Sequence, residues 1–459
     1  MKRSMLFLVL LLFPGGVWGY DFPPDEIIEP ELAEAMGAGA QEVLILTSGP
    51  LGDMMLDLST HAMNTQTLLE YGDLGIYSAR VNSEHDLTLI SEIPVVASIT
   101  MPRVAKLADF IIEADSDAPA DYKNEVTKAR QAREDYGVDG YGSVVCVIDN
   151  GIDNGHQGLQ RRVVEDTGNE TGFEYNESLV LKEEDFSSDK DNRPGDHGTH
   201  VAGIIAHQSM KLPGGKNISG IAPGISGFLD AKGLSVEGSG SEAGIIKAMK
   251  WCADEFRELR DEDPEKYRHL IYSMSLGMTL GPYNGPIVQA VEVMAEEENA
   301  VFVIAMGNEM VPDSPGVASN AITVGAADGE KAVAFFSGNG PAFAPDPYKP
   351  DVSAPGVEVY SSIPGNRYEY MSGTSMATPV VSGVVALSWE NYPRESWAQI
   401  KERVLFTSED TGEGINREGF GHVHALNAVG TPEPDTSFMW KLRKSGWWID
   451  AKLTMMAWF

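Results

Sequence analysis

The stretch Gly373-Thr374-Ser375-Met376-Ala377-Thr378-Pro379, continued by Val380-Val381-Ser382-Gly383-Val384-Val385-Ala386-Leu387, passes from a small-residue turn into an apolar helical run. A proline is tolerated in the first turn of a helix, where its missing N–H has no partner, so Pro379 marks a helix starting near Ser375. Ser375 then stands at a helix N-terminus, among unpaired backbone N–H groups and the positive end of the helix dipole. That setting suits an oxyanion developing beside a serine nucleophile. The same pattern also describes an ordinary helix cap, and other segments have to decide between the two.

Three of them do. Val144-Val145-Cys146-Val147-Ile148, bounded by glycines, reads as a buried parallel strand with Asp149 at its carboxyl end. Open α/β sheets gather ligands at that end, although an Asp before Asn150-Gly151 is also a common turn residue. Gly195-Asp196-His197-Gly198-Thr199-His200-Val201-Ala202-Gly203 again runs from polar loop into small-residue helix. His197 and His200 share a helix face, as metal ligands do, yet neither the Glu of a His-Glu-x-x-His helix nor a third ligand follows, and zinc is not favoured. Val301-Phe302-Val303-Ile304-Ala305-Met306-Gly307-Asn308 is a second buried strand, ending on Gly-Asn.

In this chain order the blocks around Asp149, His197 and Ser375 resemble the three signature motifs of the subtilases, the subtilisin-like serine proteases. The resemblance covers roughly residues 120–430. It implies an α/β fold: a doubly wound, mostly parallel sheet with helices on both faces, preceded by a small α+β propeptide-like domain. It also implies a catalytic set of Asp149, His197 and Ser375, with the Asn308 amide and the Ser375 backbone N–H as the oxyanion hole. Ser275-Leu276-Gly277 resembles one wall of the first specificity pocket, with Ala305 and Gly307 also binding substrate. Gly238-Ser239-Gly240 resembles the edge strand that pairs with extended substrate backbone, where glycine lets a peptide approach the main chain. Phe336 to Pro341, Lys349 to Gly356 and Gly419 to Val429 resemble further family blocks. Met306 and His422 depart from the usual residues, Ala and an apolar one. Asp313, in the loop after Asn308, would favour basic substrate side chains if it faces the pocket, whereas most loop carboxylates face water. No cofactor is implied as required; structural calcium is possible, although the loop 210–219, where some relatives bind it, has no carboxylate.

The expected organisation is a signal peptide over 1–19, a propeptide-like α+β inhibitor and chaperone domain over 20–115, a catalytic domain over 116–430, and a Trp-rich basic tail over 431–459. Lys2 and Arg3 precede an apolar run from Met5 to Phe13, and Val17-Trp18-Gly19 suits signal cleavage; the run is shorter than the roughly 20 residues that span a bilayer. Between 42 and 103 the pattern predicts strand 42–47, helix 51–69, strand 75–81, helix 85–93 and strand 95–101, followed by a linker or surface helix over 113–133. Later elements are predicted at 227–233 (strand), 241–257 (helix), 270–276 (strand) and 322–326 (strand).

The 459 residues carry a formal charge of −34, which argues against nucleic acid or anionic membrane as partner and for a solvated surface. Cys146 and Cys252 are read as two buried free thiols, with a bridge as the alternative. Asn169, Asn176 and Asn217 begin glycosylation sequons. The tail, with Trp440, Trp447, Trp448 and Trp458 among basic residues, is either a disordered extension or an interfacial segment. The reading is a secreted serine endopeptidase, made as a self-processing zymogen that cuts itself between about residues 104 and 130. Its partners would be protein or peptide substrates and its own propeptide. The alternative is a secreted binding or scaffold protein that keeps the fold without catalysis.

Overall fold

In the computed structural model the chain builds a seven-stranded sheet, ordered Val352–Pro355, Ile322–Ala327, Val301–Ala305, His269–Met274, Ser143–Asp149, Gly227–Lys232 and Val180–Asp185. Every pairing in it is parallel. The structure describes most of residues 41–108 and 119–430, plus 28, 32, 35 and 36; short stretches such as 49–62, 166–172, 280–282 and 343–347 lie outside the described residues. So do the expected signal segment and the Trp-rich tail.

The run Val144 to Ile148 is continuously apolar because both faces of its strand are covered. Val145 and Val147 pack with residues of the helices Asp196–Ala206 and Thr374–Asn391, whereas Val144, Cys146 and Ile148 pack with the helices Glu242–Glu262 and Pro286–Glu297. This is the doubly wound architecture expected from the sequence. Its topological switch lies at the first strand, whose neighbours are the third strand in chain order, Gly227–Lys232, and the fourth, His269–Met274. Ligands of such sheets bind in the crevice outside the carboxyl ends at that reversal. Asp149 and Ser275 stand there, at and just past the ends of the Ser143–Asp149 and His269–Met274 strands.

The two cysteines correct one expectation. Cys146 and Cys252 are joined by a disulfide, with Cα atoms 6.1 Å apart. The cause is register: alternation turns Cys146 towards the helix layer, and Cys252 lies on the buried stripe of Glu242–Glu262. A bridge closing a loop of this order, 106 residues, contributes about 4.7 kcal/mol in the chain-entropy account.

The amino-terminal unit is a four-stranded antiparallel sheet in the order Met63–Tyr71, Leu74–Val81, Gln41–Thr47, Val96–Thr100, with the helix Glu84–Ser91. Four of its five expected elements are present within a residue or two. The exception is the predicted helix 51–69. Residues 51–62 lie outside the described residues, and Met63–Tyr71 is a strand paired to Leu74–Val81. Leu68, Leu69, Leu44, Leu46 and Ile76 bury one face of this sheet in the same core as the Glu242–Glu262 and Pro286–Glu297 helices, while Val43, Ile45, Tyr77 and Ile99 form a separate core on the other. Docking of that face onto helices overrides the helical propensity of the leucines.

The region predicted as linker or surface helix is, from residue 119, part of the unit built on the seven-stranded sheet. Tyr122–Val126 and Ala129–Tyr136 are helices; Asn124 Nδ2 donates to the Ser219 carbonyl, and Arg133 donates to the Gly220 and Ile221 carbonyls. The predicted strand 270–276 is two strands, His269–Met274 and Leu276–Thr279, divided at Ser275. The helix predicted to end at 257 continues to Glu262, capped at its start by Ser241 accepting from Gly244 N.

Buried histidines set an acid limit on this core. Burial pushes His207 down to about 3, His422 to about 3 and His269, which is stacked on Trp389, to about 4. Unfolded, each takes a proton near 6.5. Below that pH the unfolded chain therefore binds more protons than the native one, and stability falls as pH falls. Asp230 opposes this: burial raises its carboxyl to about 7, so between about 4 and 7 the native state holds the extra proton. The imidazoles outnumber the acids, with His156 and His424 also held low and Glu292 and Glu390 also raised by burial, so stability is expected to fall from pH 7 to pH 5. Calorimetric unfolding at pH 7 and pH 5 checks it; an unchanged midpoint would refute the assignment of neutral buried imidazoles.

Candidate active site

Asp149, at the end of its strand, is fully buried, and both carboxylate oxygens lie 2.8 Å from His197 Nδ1. Asp149 Oδ1 also accepts from the Asn150 backbone N–H at 2.7 Å. Asn150 in turn accepts from Gly198 N through Oδ1 at 2.9 Å, which ties the loop after Asp149 to the first turn of the Asp196–Ala206 helix. Glycine is required around this tie. A methyl on Gly195 would lie 1.8 Å from Asn150 Oδ1, and one on Gly198 would lie 2.5 Å from the Gly151 carbonyl oxygen. His200, the second histidine of the motif, is buried with Nε2 3.1 Å from the Glu369 carbonyl oxygen. Among the described residues no group of His, Cys, Asp and Glu could hold a metal ion.

Ser375 is the second residue of the Thr374–Asn391 helix and is fully buried. Pro379 lies a turn further in than the sequence suggested, inside the helix. Its ring lacks the N–H that would pair with the Ser375 carbonyl, a defect that costs about 3 kcal/mol in an ordinary helix. Here Ser275 Oγ donates to that carbonyl at 2.8 Å instead. Ser375 Oγ returns a hydrogen bond to the Ser275 carbonyl at 3.2 Å. Asn308 Oδ1 accepts from Thr374 N at 3.0 Å and from Thr374 Oγ1 at 2.9 Å, which fixes the amide; its buried Nδ2 donates to no described group.

The cleft holds a segment of the chain itself. Val104–Leu107 is a strand inserted antiparallel between Ser239–Ser241 and Leu276–Thr279, with Lys106 opposite both Ser239 and Gly277. Gly238-Ser239-Gly240 and Leu276-Gly277 thus serve as a two-sided backbone cradle. Leu107 N donates to the Gly238 carbonyl at 3.1 Å and Ala108 N to the Ser275 carbonyl at 3.3 Å. The Ser375 N–H donates to the Ala108 carbonyl oxygen at 3.3 Å. Ala108 is thereby the residue whose carbonyl faces Ser375. Glu242 secures the entering strand: its N–H donates to the Arg103 carbonyl, and its carboxylate accepts from Arg103 N at 3.3 Å and Ile287 N at 3.2 Å.

Residues 140–423 match the model of the subtilase family. The chain belongs to this family. It is 31% identical to serine protease AprX of Bacillus subtilis (strain 168) over 390 residues, 78% of this chain and 80% of that relative. It is also 31% identical to the thermostable alkaline protease of Halalkalibacterium halodurans over 76% of this chain and 88% of the relative. With subtilisin E of Bacillus subtilis it shares 31% over 277 residues, 59% of this chain and 61% of the relative. This subtilase is a serine endopeptidase, a hydrolase. Its two departures from the family blocks are internal: Met306 is fully buried, close to where a methyl on Gly338 would sit, and His422 is fully buried 3.4 Å from Ser353 Oγ.

Calcium does not fit the loop 210–219 of this subtilase. That loop has no carboxylate, and its Lys216 donates to the Tyr370 hydroxyl at 2.9 Å and lies 4.9 Å from the ring centroids of Tyr360 and Tyr370. A hard cation needs a cage of oxygens, not a resident ammonium. Sequence reasoning missed the Val104–Leu107 strand with Ala108, Asn150 and Glu242. The capping pattern Ser241-Glu242 before an apolar run was a visible signal for the last, but nothing in the spacing marked Ala108.

Proposed function

We propose that this subtilase cuts peptide bonds through an acyl-enzyme, using Asp149, His197 and Ser375, and that its first substrate is its own chain after Ala108. The observation that carries the reading is the Ala108 carbonyl oxygen accepting the Ser375 N–H from a strand held on both sides. Ser375 Oγ leaves the Ser275 carbonyl, gives its proton to His197 Nε2 and attacks the carbonyl carbon; the proton passes to the leaving amine, and water then releases the acyl group. Asp149 holds the proton on Nδ1 and stabilises the imidazolium. Asn308 Nδ2 and the Ser375 N–H receive the oxyanion. The proton route closes among these side chains and calls for no cofactor.

The bond at issue is Ala108–Asp109, so the amino-terminal unit would be a propeptide that remains as an inhibitor through its buried sheet face. Residues 1–19 would direct export, and the Cys146–Cys252 bridge suits an oxidising compartment. Among the described residues no helix is long and apolar enough to cross a membrane. No observation favours the silent scaffold reading.

A fluorophosphonate probe tests the chemistry. The processed wild-type protein is expected to label in stoichiometric yield, and Ser375→Ala and His197→Ala to remain unlabelled. Labelling that survives either substitution sinks the assignment.

A further inference from the structure

We infer that Asp313 makes this protease select lysine or arginine at the residue preceding the cut bond. The inference rests on the proteolytic reading above and adds a substrate class to it. The strand Asp313–Ser314 pairs with the far edge of Leu276–Thr279, with Thr279 opposite Asp313, and Asp313 N donates to the Met306 carbonyl at 3.1 Å. These two attachments draw the side chain inward, between the segments 275–277 and 305–307. A methyl on Gly277 would come within 2.7 Å of Asp313 Cβ and Oδ2, and one on Gly307 within 2.4 Å of Oδ2. The carboxylate therefore lies in the slot between two glycine backbones, and the residue is only 6% exposed, unlike an ordinary loop acid.

The cradle brings the substrate residue to the same slot. Ala108, buried, bonds to Ser275 through its N–H, while Leu107 and Lys106 lie opposite Leu276 and Gly277. A side chain longer than alanine at this place must share the slot with the carboxylate. A phenylalanine or leucine would cover a charge with hydrocarbon, and a glutamate would place like charges together; both are unfavourable. Lysine and arginine reach the carboxylate with a charged donor and bury their methylenes between the glycines. Alanine is too short to reach it, so the chain's own Ala108 is compatible with the slot without being its preferred occupant.

The test uses processed wild-type protein and Asp313→Asn on peptides differing only at the residue before the cut: Lys, Arg, Ala, Phe or Glu. For wild type, kcat/KM for Lys or Arg is expected to exceed that for Phe by at least tenfold, with Glu lowest. In Asp313→Asn the ratio of Lys to Phe should fall at least tenfold, mainly through KM. Fluorophosphonate labelling reports that the variant is folded; should it not fold, the wild-type ratios alone still decide. A wild-type preference for Phe, or a ratio that Asp313→Asn leaves unmoved, overturns the inference. If wild type cuts none of the peptides and takes no probe, the proteolytic reading itself has failed.

Discussion

Ser375→Ala is expected to accumulate as an uncut chain and to lose roughly 10⁶ in kcat, the scale known for removing this nucleophile in subtilisin and borrowed here. The structure makes this a clean test. Among the described residues Ser375 Oγ bonds to the Ser275 carbonyl alone, so its removal forfeits about 1 kcal/mol of folding free energy. The Ser375 N–H, the Asn308 amide and the 104–108 segment are all retained, so the proposed oxyanion donors and the bound segment persist without the Ser375 hydroxyl. Residual turnover should accordingly lie about 10³ to 10⁴ above that in water. The chain mass of protein purified alone is the primary readout. Wild type should begin at Asp109 and the variant should still carry the amino-terminal unit. Loss of that unit from the isolated variant would mean that another protease, or another residue, makes the cut.

The parts of the site legible in the sequence are those where chemistry and backbone geometry coincide locally. Asp149 ends an uninterrupted apolar run, His197 and Ser375 each open a small-residue helix, and Asn308 ends a strand; each stands at an element boundary that composition reveals. Contacts between distant segments left no such trace. Cys146 and Cys252 are 106 residues apart, and their bridge depends on which face of a strand meets which stripe of a helix. Ser275 replaces the hydrogen bond that Pro379 denies the Ser375 carbonyl, and Ser275 lies 100 residues from Ser375 in sequence. The strand Met63–Tyr71 looked helical because its leucines were read without the surface that buries them. Asp313 looked like a solvated loop acid for the converse reason, since the glycines that admit it belong to two other segments.

Asp149→Asn should cost about 10⁴ in kcat, as loss of the orienting carboxylate does in serine proteases of another fold, while leaving the fold and the cradle in place. The carboxylate offers acceptors only, and both of its oxygens are within 2.8 Å of His197 Nδ1 while Oδ1 also takes the Asn150 N–H. An amide cannot satisfy this set, because one of its two ends is a donor. With the amide N–H directed at Nδ1, that nitrogen must become an acceptor, and the ring proton moves to Nε2, where the base needs a lone pair. With the oxygen directed at Nδ1, the tautomer is kept but the anion that steadies the imidazolium is gone. Substrate affinity should change little, since the 238–240 and 275–277 cradle lies outside this contact, so the loss is expected in kcat with KM within a fewfold. Thermal unfolding run alongside separates a folded, inactive variant from an unfolded one. A folded variant retaining more than a tenth of wild-type kcat would show that His197 is oriented by something other than Asp149, and the assignment of the three residues would fall with it.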